Sequence, residues 1–589
     1  MIKVALRSVL ILDGRGRSIV AWYSLVRILI SLLDLIGVAS VGLIVSVAVS
    51  GTSSLTVDHQ LSRNVLALLR LERSSISEIV AYLGVATTIV FLLRLFLTYY
   101  FTRKTLQVLA KYEVRLADMV RQKLFFSGIA KLQENDSIKA AQIFTTGVSS
   151  AVRIIGMVVT ALADVAASLG LIIVMGVASP LSMLGSALIF GPTTYFSLRH
   201  FGNRTEIASK QVLLSNLGAT KKVQENYFAY RELVAGGHLR MSTEHAMEDR
   251  RLSSRMLVDA QFYAIAPRIL LEATMLIVVV FVGSIIWVTN SSSESLTILG
   301  IFLTASSRFV PVIASLMANI SAMRYASGEA GLFLDFFDEN KGKDYFVQSQ
   351  KLDRCTIENS KNSSVDMVSL VDVSFRYPTA SDLLLSDVNM TIHKGDFIGV
   401  TGRSGEGKST LVDLIIGVLE PTEGKILING IRSVEFLENN PGVIAYVPQS
   451  CGLLDGSILE NILYRKNYQE YELVEVINAL KASRLWEFVS ALPFGIQTNI
   501  GERGSLLSGG QKQRLGIARG LFQKSSLIVL DESTNALDSH TESQIYEILN
   551  DLRGEITVII IGHNFETIKL NANKLFLVEN GTVTELSQQ

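Results

Sequence analysis

Apolar residues are not spread evenly along this chain. In roughly the first 325 residues they gather into stretches near the ~20 residues needed to cross a bilayer. Beyond that point, short β-rich runs alternate with helical patterns, as in soluble α/β domains. The first part predicts six spans, near Ile19–Ala48, Ile79–Phe101, Ile154–Val177, Leu181–Leu198, Tyr263–Val288 and Leu296–Ile320. The first is too long, and lacks a convincing small-residue cleavage site, to be a removable signal; it reads as an anchor-like span. In the connections after the second and fourth spans, apolar residues recur at three- and four-residue steps, as in Leu109, Tyr112, Leu116, Met119 and Val120. That period predicts helices continuing well beyond the membrane. Each loop would end in a short turn that touches the C-terminal domain, at about 130–145 and 224–231, the latter with Tyr227, Phe228 and Tyr230. The first outward connection, about 51–77, places Leu61, Val65, Leu68 and Leu69 on one helical face and Arg63 and Arg70 opposite; this suits a membrane surface or a short helix capping the bundle.

These patterns divide the chain into a membrane domain over residues 1–325, a linker over 326–366 with a Ser/Asn/Lys-rich stretch at 348–364, and a globular domain over 367–589. Composition agrees: 49% of the 589 residues are hydrophobic and mean hydropathy is +0.37. Net charge is +0, so no global basic field points to nucleic acid. The two cysteines, Cys355 and Cys451, fall in the expected cytosolic part and read as buried or inert thiols. The seven histidines show no ligand spacing. Lys and Arg crowd ahead of the first span and after the second and fourth, which places both termini and both long loops in the cytoplasm. Arg63, Arg70 and Arg73 run against that assignment.

Seven ionisable residues fall in or near the spans: Arg27, Asp34, Arg94, Asp164, Arg268, Glu272 and Arg308. Intramembrane charge is costly, so each is a candidate for function. The structural alternative is pairing, such as Arg94 with Asp34 or Asp164; Arg268 and Glu272 are four apart and can meet on one helix face. Arg94 and Arg308 are the candidate contacts for an anionic head group.

In the globular domain, Gly402-Arg-Ser-Gly-Glu-Gly407-Lys408-Ser409 fits the phosphate-binding loop G-x-x-x-x-G-K-[ST], between a strand-like 396–400 and a helical 410–419. Backbone N–H groups of Gly402, Ser404, Gly405, Gly407 and Thr410 would cradle phosphates, aided by the positive end of the following helix. Lys408 would reach the β- and γ-phosphates and Ser409 would bind Mg²⁺. Glu406 is an odd acid beside phosphates; its side chain is expected to point outward. The apolar run Leu527–Leu530 ends in Asp531-Glu532, placing Asp531 near Mg²⁺ and Glu532 as the base that polarises water.

Leu507-Ser-Gly-Gly-Gln511, shortly before Asp531, makes the chain resemble ATP-binding-cassette proteins. Other stretches match that family in order. Tyr377 resembles the aromatic that stacks on adenine, and Gln449 the glutamine that touches Mg²⁺ and senses the membrane domain. Asn535-Ala-Leu-Asp538 resembles the loop that crosses the dimer interface, with Asn535 where Ser is commoner. His563 resembles the switch residue at the γ-phosphate, and Gly501-Glu-Arg-Gly504 an exporter-specific loop. The resemblance implies a fold of six transmembrane helices of exporter type fused to a cytoplasmic α/β P-loop ATPase, with ATP and Mg²⁺ as cofactors. It also implies that Ser508, Gly509, Gly510 and Gln511 complete the site of a partner chain, so one chain is half a transporter. Intact Glu532 and signature positions favour a homodimer; a heterodimer with a degenerate partner stays open.

Spans fused ahead of the motor resemble exporters, and the short lead from Met1 to Ser18 leaves no space for a leader-cleaving peptidase. The stretches 32–39, 267–272 and 308–311 resemble bacterial flippases for lipid-linked oligosaccharides. The expected activity is therefore ATP-driven flipping of an amphipathic, anionic lipid-linked glycan across a bacterial inner membrane. Export of a peptide, lipid or drug-like molecule is the alternative. A gated channel or regulator on the same fold is disfavoured by intact Glu532 and His563, and a soluble cassette acting on DNA or ribosomes by the spans.

Overall fold

The computed structural model describes residues 2–50, 76–125, 136–178, 180–289, 292–339, 366–377, 380–465, 467–531, 539–562 and 565–586. By contact the chain forms two units, Met1–Phe125 with Glu134–Lys343, and Phe126–Gln133 with Asp344–Gln589.

The described part of the first unit is helical: α1 (Ile2–Leu10), α2 (Gly14–Ser50), α3 (Ile76–Phe125), α4 (Ser137–Gln142), α5 (Val148–Ala178), α6 (Pro180–Phe228), α7 (Tyr230–Ala235), α8 (Leu239–Thr289) and α9 (Ser292–Glu339). A π-helical turn, Ile143–Gly147, joins α4 to α5. Helices α3, α6, α8 and α9 hold 50, 49, 51 and 48 residues. At 1.5 Å per residue each is roughly 75 Å long, more than twice a hydrocarbon core. The helices therefore continue beyond the membrane, as the apolar period at Leu109, Leu116 and Val120 predicts; Leu116 and Val120 are buried against Ile154, Ile155 and Phe333. The second loop closes at α7 and Gly237, whose positive φ of 70° suits a residue without Cβ.

Among the described residues, five stretches are long and apolar enough to cross a membrane: Gly14–Gly37, Ser77–Phe125, Ser137–Val174, Leu239–Ile285 and Ser307–Glu339. The expected fourth span, Leu181–Leu198, lies in α6, which is not among them. On α3, the apolar Tyr82, Val85, Ile89, Leu92 and Phe96 are exposed, a surface that suits lipid and not water. The amphipathic reading of residues 51–77 falls outside the described residues apart from its last two.

One expected boundary needs correction. The sequence pattern places the linker from residue 326, but α9 runs unbroken to Glu339. The reason is burial: Ala326, Ala330, Phe333, Leu334 and Phe336 repeat at helical spacing and pack into the core formed with α3 and α5. The polar stretch 348–364 and the loop segment near residue 130 lie outside the described residues.

The second unit carries two sheets. Strands β1 (Asp366–Phe375), β2 (Leu385–His393), β4 (Glu423–Ile428) and β5 (Ile431–Arg432) form an antiparallel sheet in the order β2-β1-β4-β5. Strands β3 (Phe397–Gly402), β6 (Ile444–Val447), β7 (Leu527–Asp531), β8 (Thr557–Ile561), β9 (Lys574–Glu579) and β10 (Thr582–Leu586) form the other, in the order β10-β9-β3-β8-β7-β6. All neighbours in this second sheet are parallel except β10 with β9. Its central strands β7 and β8 are buried throughout, which is why they read as unbroken apolar runs rather than alternating ones. Helix α10 (Lys408–Ile415) buries Leu411, Val412, Leu414 and Ile415 in the core shared by both sheets, and α11 (Ser433–Asn439), α12 (Ile458–Leu463), α13 (Glu470–Ala482) and α14 (Trp486–Ser490) follow it.

If α9 belongs to the core beyond residue 325, Phe333→Ala should be strongly destabilising, by about 3–5 kcal/mol for a large-to-small change at a buried aromatic. The check is the unfolding midpoint of the full chain in nanodiscs, which should fall by several degrees. An unchanged midpoint would return residues 326–339 to the linker.

Candidate functional site

Parallel strands bring their following loops to one edge of a sheet, where ligands bind in open α/β folds. The register here aligns those ends: Val400 of β3 and Asp531 of β7 both pair with Ile561, and Val447 of β6 pairs with Leu530. The phosphate loop leaves β3, Gln449 follows β6 by two residues, and Asp531 ends β7. Glu532, Asn535, Asp538 and His563, expected just past β7 and β8, lie outside the described residues.

The loop 402–409 is shaped by glycine. Gly405 and Gly407 have φ of 87° and 98°, the left-handed region that costs other residues steric strain. Gly407 caps the N-terminus of α10, which Lys408 opens. Lys408 is buried, and its Nζ donates to the carbonyls of Gly402 (3.0 Å) and Arg403 (2.9 Å) inside the loop. Ser404 and Gly405 are exposed on its crown. Glu406 departs from expectation: its side chain does not stand clear, and Oε2 is buried without a hydrogen-bond partner among the described residues.

Beside this loop, Ser409 Oγ donates to Asp531 Oδ1 at 3.4 Å. A hydroxyl and a carboxylate facing each other are hard oxygen donors, and their chemistry fits Mg²⁺. Two nearby groups were not foreseen. Tyr446 donates its hydroxyl to Asp531 Oδ2 at 3.1 Å, and burial together with Asp531 raises its pKa. Asp413 is one helical turn after Ser409; burial first, and the charge of Asp531 second, push its carboxyl up to about 6. The four-residue step from Ser409 to Asp413 was the readable signal for the latter.

Tyr377 meets the loop from the antiparallel side. Its hydroxyl lies 3.1 Å from Thr410 Oγ1, and its ring packs edge-on to Phe375 with centroids 5.0 Å apart. Gln449 is exposed. Cys451 is buried, which raises its thiol pKa; Cys355 lies outside the described residues.

The signature segment opens helix α15 (Gly509–Phe522). Ser508 is its N-cap, accepting from Gln511 N (3.3 Å) while its own N–H donates to Gln511 Oε1 (2.8 Å). This reciprocal capping box holds the turn rigid. Ser508 and Gly509 are exposed and Gly510 is buried. The helix therefore presents a glycine-lined, positively polarised end to solvent.

In the first unit, Arg94 Nη2 pairs with Asp34 Oδ2 at 2.7 Å. The Arg308 guanidinium lies 4.8 Å from the centroid of the Phe91 ring. Arg268 and Glu272 pair at 2.9 Å along one face of α8. Asp164 accepts from Ser315 (2.8 Å) and Asn319 (3.1 Å).

Comparison with known proteins follows the same division. Residues 385–535 match the ABC transporter family model. The chain is 41% identical over 222 residues to an Arabidopsis thaliana protein, ABC transporter B family member 29, chloroplastic, covering 38% of this chain and 35% of that one. It is 38% identical over 215 residues to an ATP-dependent lipid A-core flippase of Haemophilus influenzae, covering 36% of each. It is 35% identical over 251 residues to a sophorolipid transporter of Starmerella bombicola, covering 41% of this chain and 19% of the relative. The chain thus spans at most about a third of the length of these relatives. Among solved structures, a bacterial Atm1-family ABC exporter with ATP bound matches over 98% of this chain and 96% of its own, with TM-score 0.69 and 19% identity. The chain therefore has the fold of an ABC exporter: an N-terminal helical membrane domain and a C-terminal ATP-binding-cassette domain.

Proposed function

We propose that this chain is an ATP-driven flippase or exporter that moves an amphipathic, lipid-linked oligosaccharide or related glycolipid from the inner to the outer leaflet, working as a homodimer in a bacterial cell membrane with the motor on the cytoplasmic side. The observation that carries the reading is the exposed N-terminus of α15. Within one chain the capped turn at Ser508 stands open to solvent, while the phosphate loop is a separate anion cradle. A partner's α15 covering the γ-phosphate would complete each site. The relatives named as a lipid A-core flippase and a sophorolipid transporter support a lipid-like cargo.

The residues take roles that follow from their chemistry. Lys408 exchanges its contacts with loop carbonyls for phosphate oxygens, and Tyr377 offers an aromatic edge or face to adenine. Ser409, Asp531 and Gln449 would hold Mg²⁺, which supplies charge neutralisation at the phosphates. Glu532 accepts a proton from the attacking water, and His563 donates toward the γ-phosphate. Arg94 and Arg308 give an anionic head group positive charge in the membrane domain. One observation favours the second reading, export of a peptide or drug-like molecule: Arg94 is already paired with Asp34 and so presents less charge.

Two experiments test the motor. Glu532→Gln should bind ATP normally yet hydrolyse it roughly a hundredfold or more slowly, the range for a lost general base, and accumulate a closed, ATP-loaded dimer. Hydrolysis near the wild-type rate removes Glu532 from the base role. Next, co-assembling Lys408→Ala chains with Ser508→Arg chains leaves each mixed dimer one intact composite site. Mixed dimers should regain partial ATPase activity that neither pure variant has. Full activity in either pure variant rules out shared sites.

A third experiment addresses the cargo. A fluorescent lipid-linked oligosaccharide should flip in proteoliposomes containing the wild-type chain and ATP, and should stimulate ATP hydrolysis. Absence of both effects, with stimulation by peptides or apolar drugs, would favour the second reading.

A further inference from the structure

Where α2, α3, α5 and α9 meet, a cavity of about 70 Å³ is lined by Asp34, Arg94, Arg308, Leu171, Pro311 and Val312, among others. Several features are unusual for a purely structural ion pair. Asp34 is 7% exposed, and only one of its oxygens is used: Oδ2 holds Arg94, while Oδ1 is buried with no hydrogen-bond partner among the described residues. Arg94 Nε is likewise buried and without a hydrogen bond. Structural ion pairs persist in apolar surroundings when their remaining donors and acceptors are satisfied; here Asp34 Oδ1 and Arg94 Nε are not, among the described residues. Arg308, whose described contact is the Phe91 ring, adds a second guanidinium to the same cavity. The nearest acid on α5, Asp164, is engaged by Ser315 and Asn319 instead.

Charge counting gives the consequence. Two guanidiniums and one carboxylate leave one positive charge in a largely apolar chamber, where uncompensated charge is expensive. The volume exceeds the ~10–15 Å³ that one water needs several-fold, so a small tetrahedral oxyanion has room. We infer that this cavity is an intramembrane site for a single phosphate-type anion, and that Asp34 is its built-in competitor, holding Arg94 until the anion displaces it. Such a counter-ion does two things. It neutralises Arg94 when the site is empty, and it weakens anion binding enough for release. The inference deepens the proposed anionic cargo, and rests on that reading only for the identity of the molecule that carries the phosphate.

The test uses the full chain in phosphatidylcholine nanodiscs with increasing phosphatidylglycerol, reading ATPase rate and unfolding midpoint. Phosphatidylglycerol should stimulate the wild type. Asp34→Asn should reach half-stimulation at a roughly fivefold or more lower fraction of that lipid, the low end of coupling between linked groups. Arg308→Gln should lose the stimulation. A second arm adds inorganic phosphate and compares the midpoint shift of wild type with that of Arg308→Gln, so that binding at the phosphate loop cancels. A difference there without a lipid response assigns the site to free phosphate; a lipid response assigns it to a head group. Wild-type half-stimulation in Asp34→Asn overturns the competitor role. Should Asp34→Asn fail to fold, Asp34→Asn/Arg94→Gln removes both charges together; restored stability with an unaltered lipid response would show a structural pair only and overturn the site. Failure of oligosaccharide flipping alongside an Asp34-dependent lipid response would sink the cargo reading and leave the site standing. Normal flipping with no Asp34 dependence would do the reverse.

Discussion

The parallel register of β3, β8, β7 and β6 is the constraint on which the chemistry of the motor depends. Because Val400 and Asp531 both align with Ile561, and Val447 with Leu530, the strand ends reach one edge within a residue or so of each other. A slip of one residue would turn Asp531 to the opposite face of the sheet and separate it from Ser409. The register is held by side chains that tolerate no water: Ile528, Val529, Leu530, Val558 and Ile559 are fully buried. Hydrophobic packing here positions a hydroxyl and a carboxylate 3.4 Å apart.

A second arrangement ties the segment after Gln449 to the signature helix. Arg519 on α15 is 7% exposed. It donates to the carbonyls of Asn461 (2.6 Å) and Gly452 (2.9 Å) and to Asn461 Oδ1 (2.8 Å). Its guanidinium also lies 4.4 Å from the centroid of Tyr464. Asn461 in turn accepts from Leu454 N and donates to the carbonyls of Leu454 and Ser457. Burial lowers the pKa of Arg519, and the cost of desolvating a guanidinium is offset only when several acceptors meet it. The segment 452–457 and the helix that Ser508 opens are thus fixed to one another. A displacement at one is felt at the other, since a buried charge cannot simply let go of its acceptors.

The parts of this molecule that a reader can find in the sequence are those set by local spacing. The phosphate loop, the Ser508–Gln511 capping turn and the apolar strand ending in Asp531 each rest on residues within a few positions of one another. The long helices were legible for the same reason, since Leu109, Leu116 and Val120 keep a helical period past the membrane. What was not legible depends on residues distant in sequence. Charge alone offers Arg94 either Asp34 or Asp164 as a partner, and only the packing of α2 beside α3 selects Asp34, sixty positions earlier. Tyr446 reads as an ordinary strand aromatic until β7 is placed beside it. The end of α9 is hard to read because hydropathy falls after residue 325 while the helical period of Ala326, Ala330, Phe333 and Leu334 persists to Glu339. Loss of membrane character is not loss of helix; the two are physically separate.

The two units solve the problem of buried charge in opposite ways. In the motor, Arg519 is surrounded by acceptors, and its network is closed. In the membrane unit, the Asp34–Arg94 pair keeps one oxygen and one nitrogen without a hydrogen-bond partner among the described residues, beside a second guanidinium at a cavity. A closed network rigidifies, because every alternative arrangement loses a bond. An open one stores unsatisfied polarity, because some arrangements with an added partner gain bonds without losing any. In a low-dielectric chamber that difference is larger than it would be in bulk water. The membrane cavity is therefore poised to change with what enters it, and the Arg519 network is built to stay as it is.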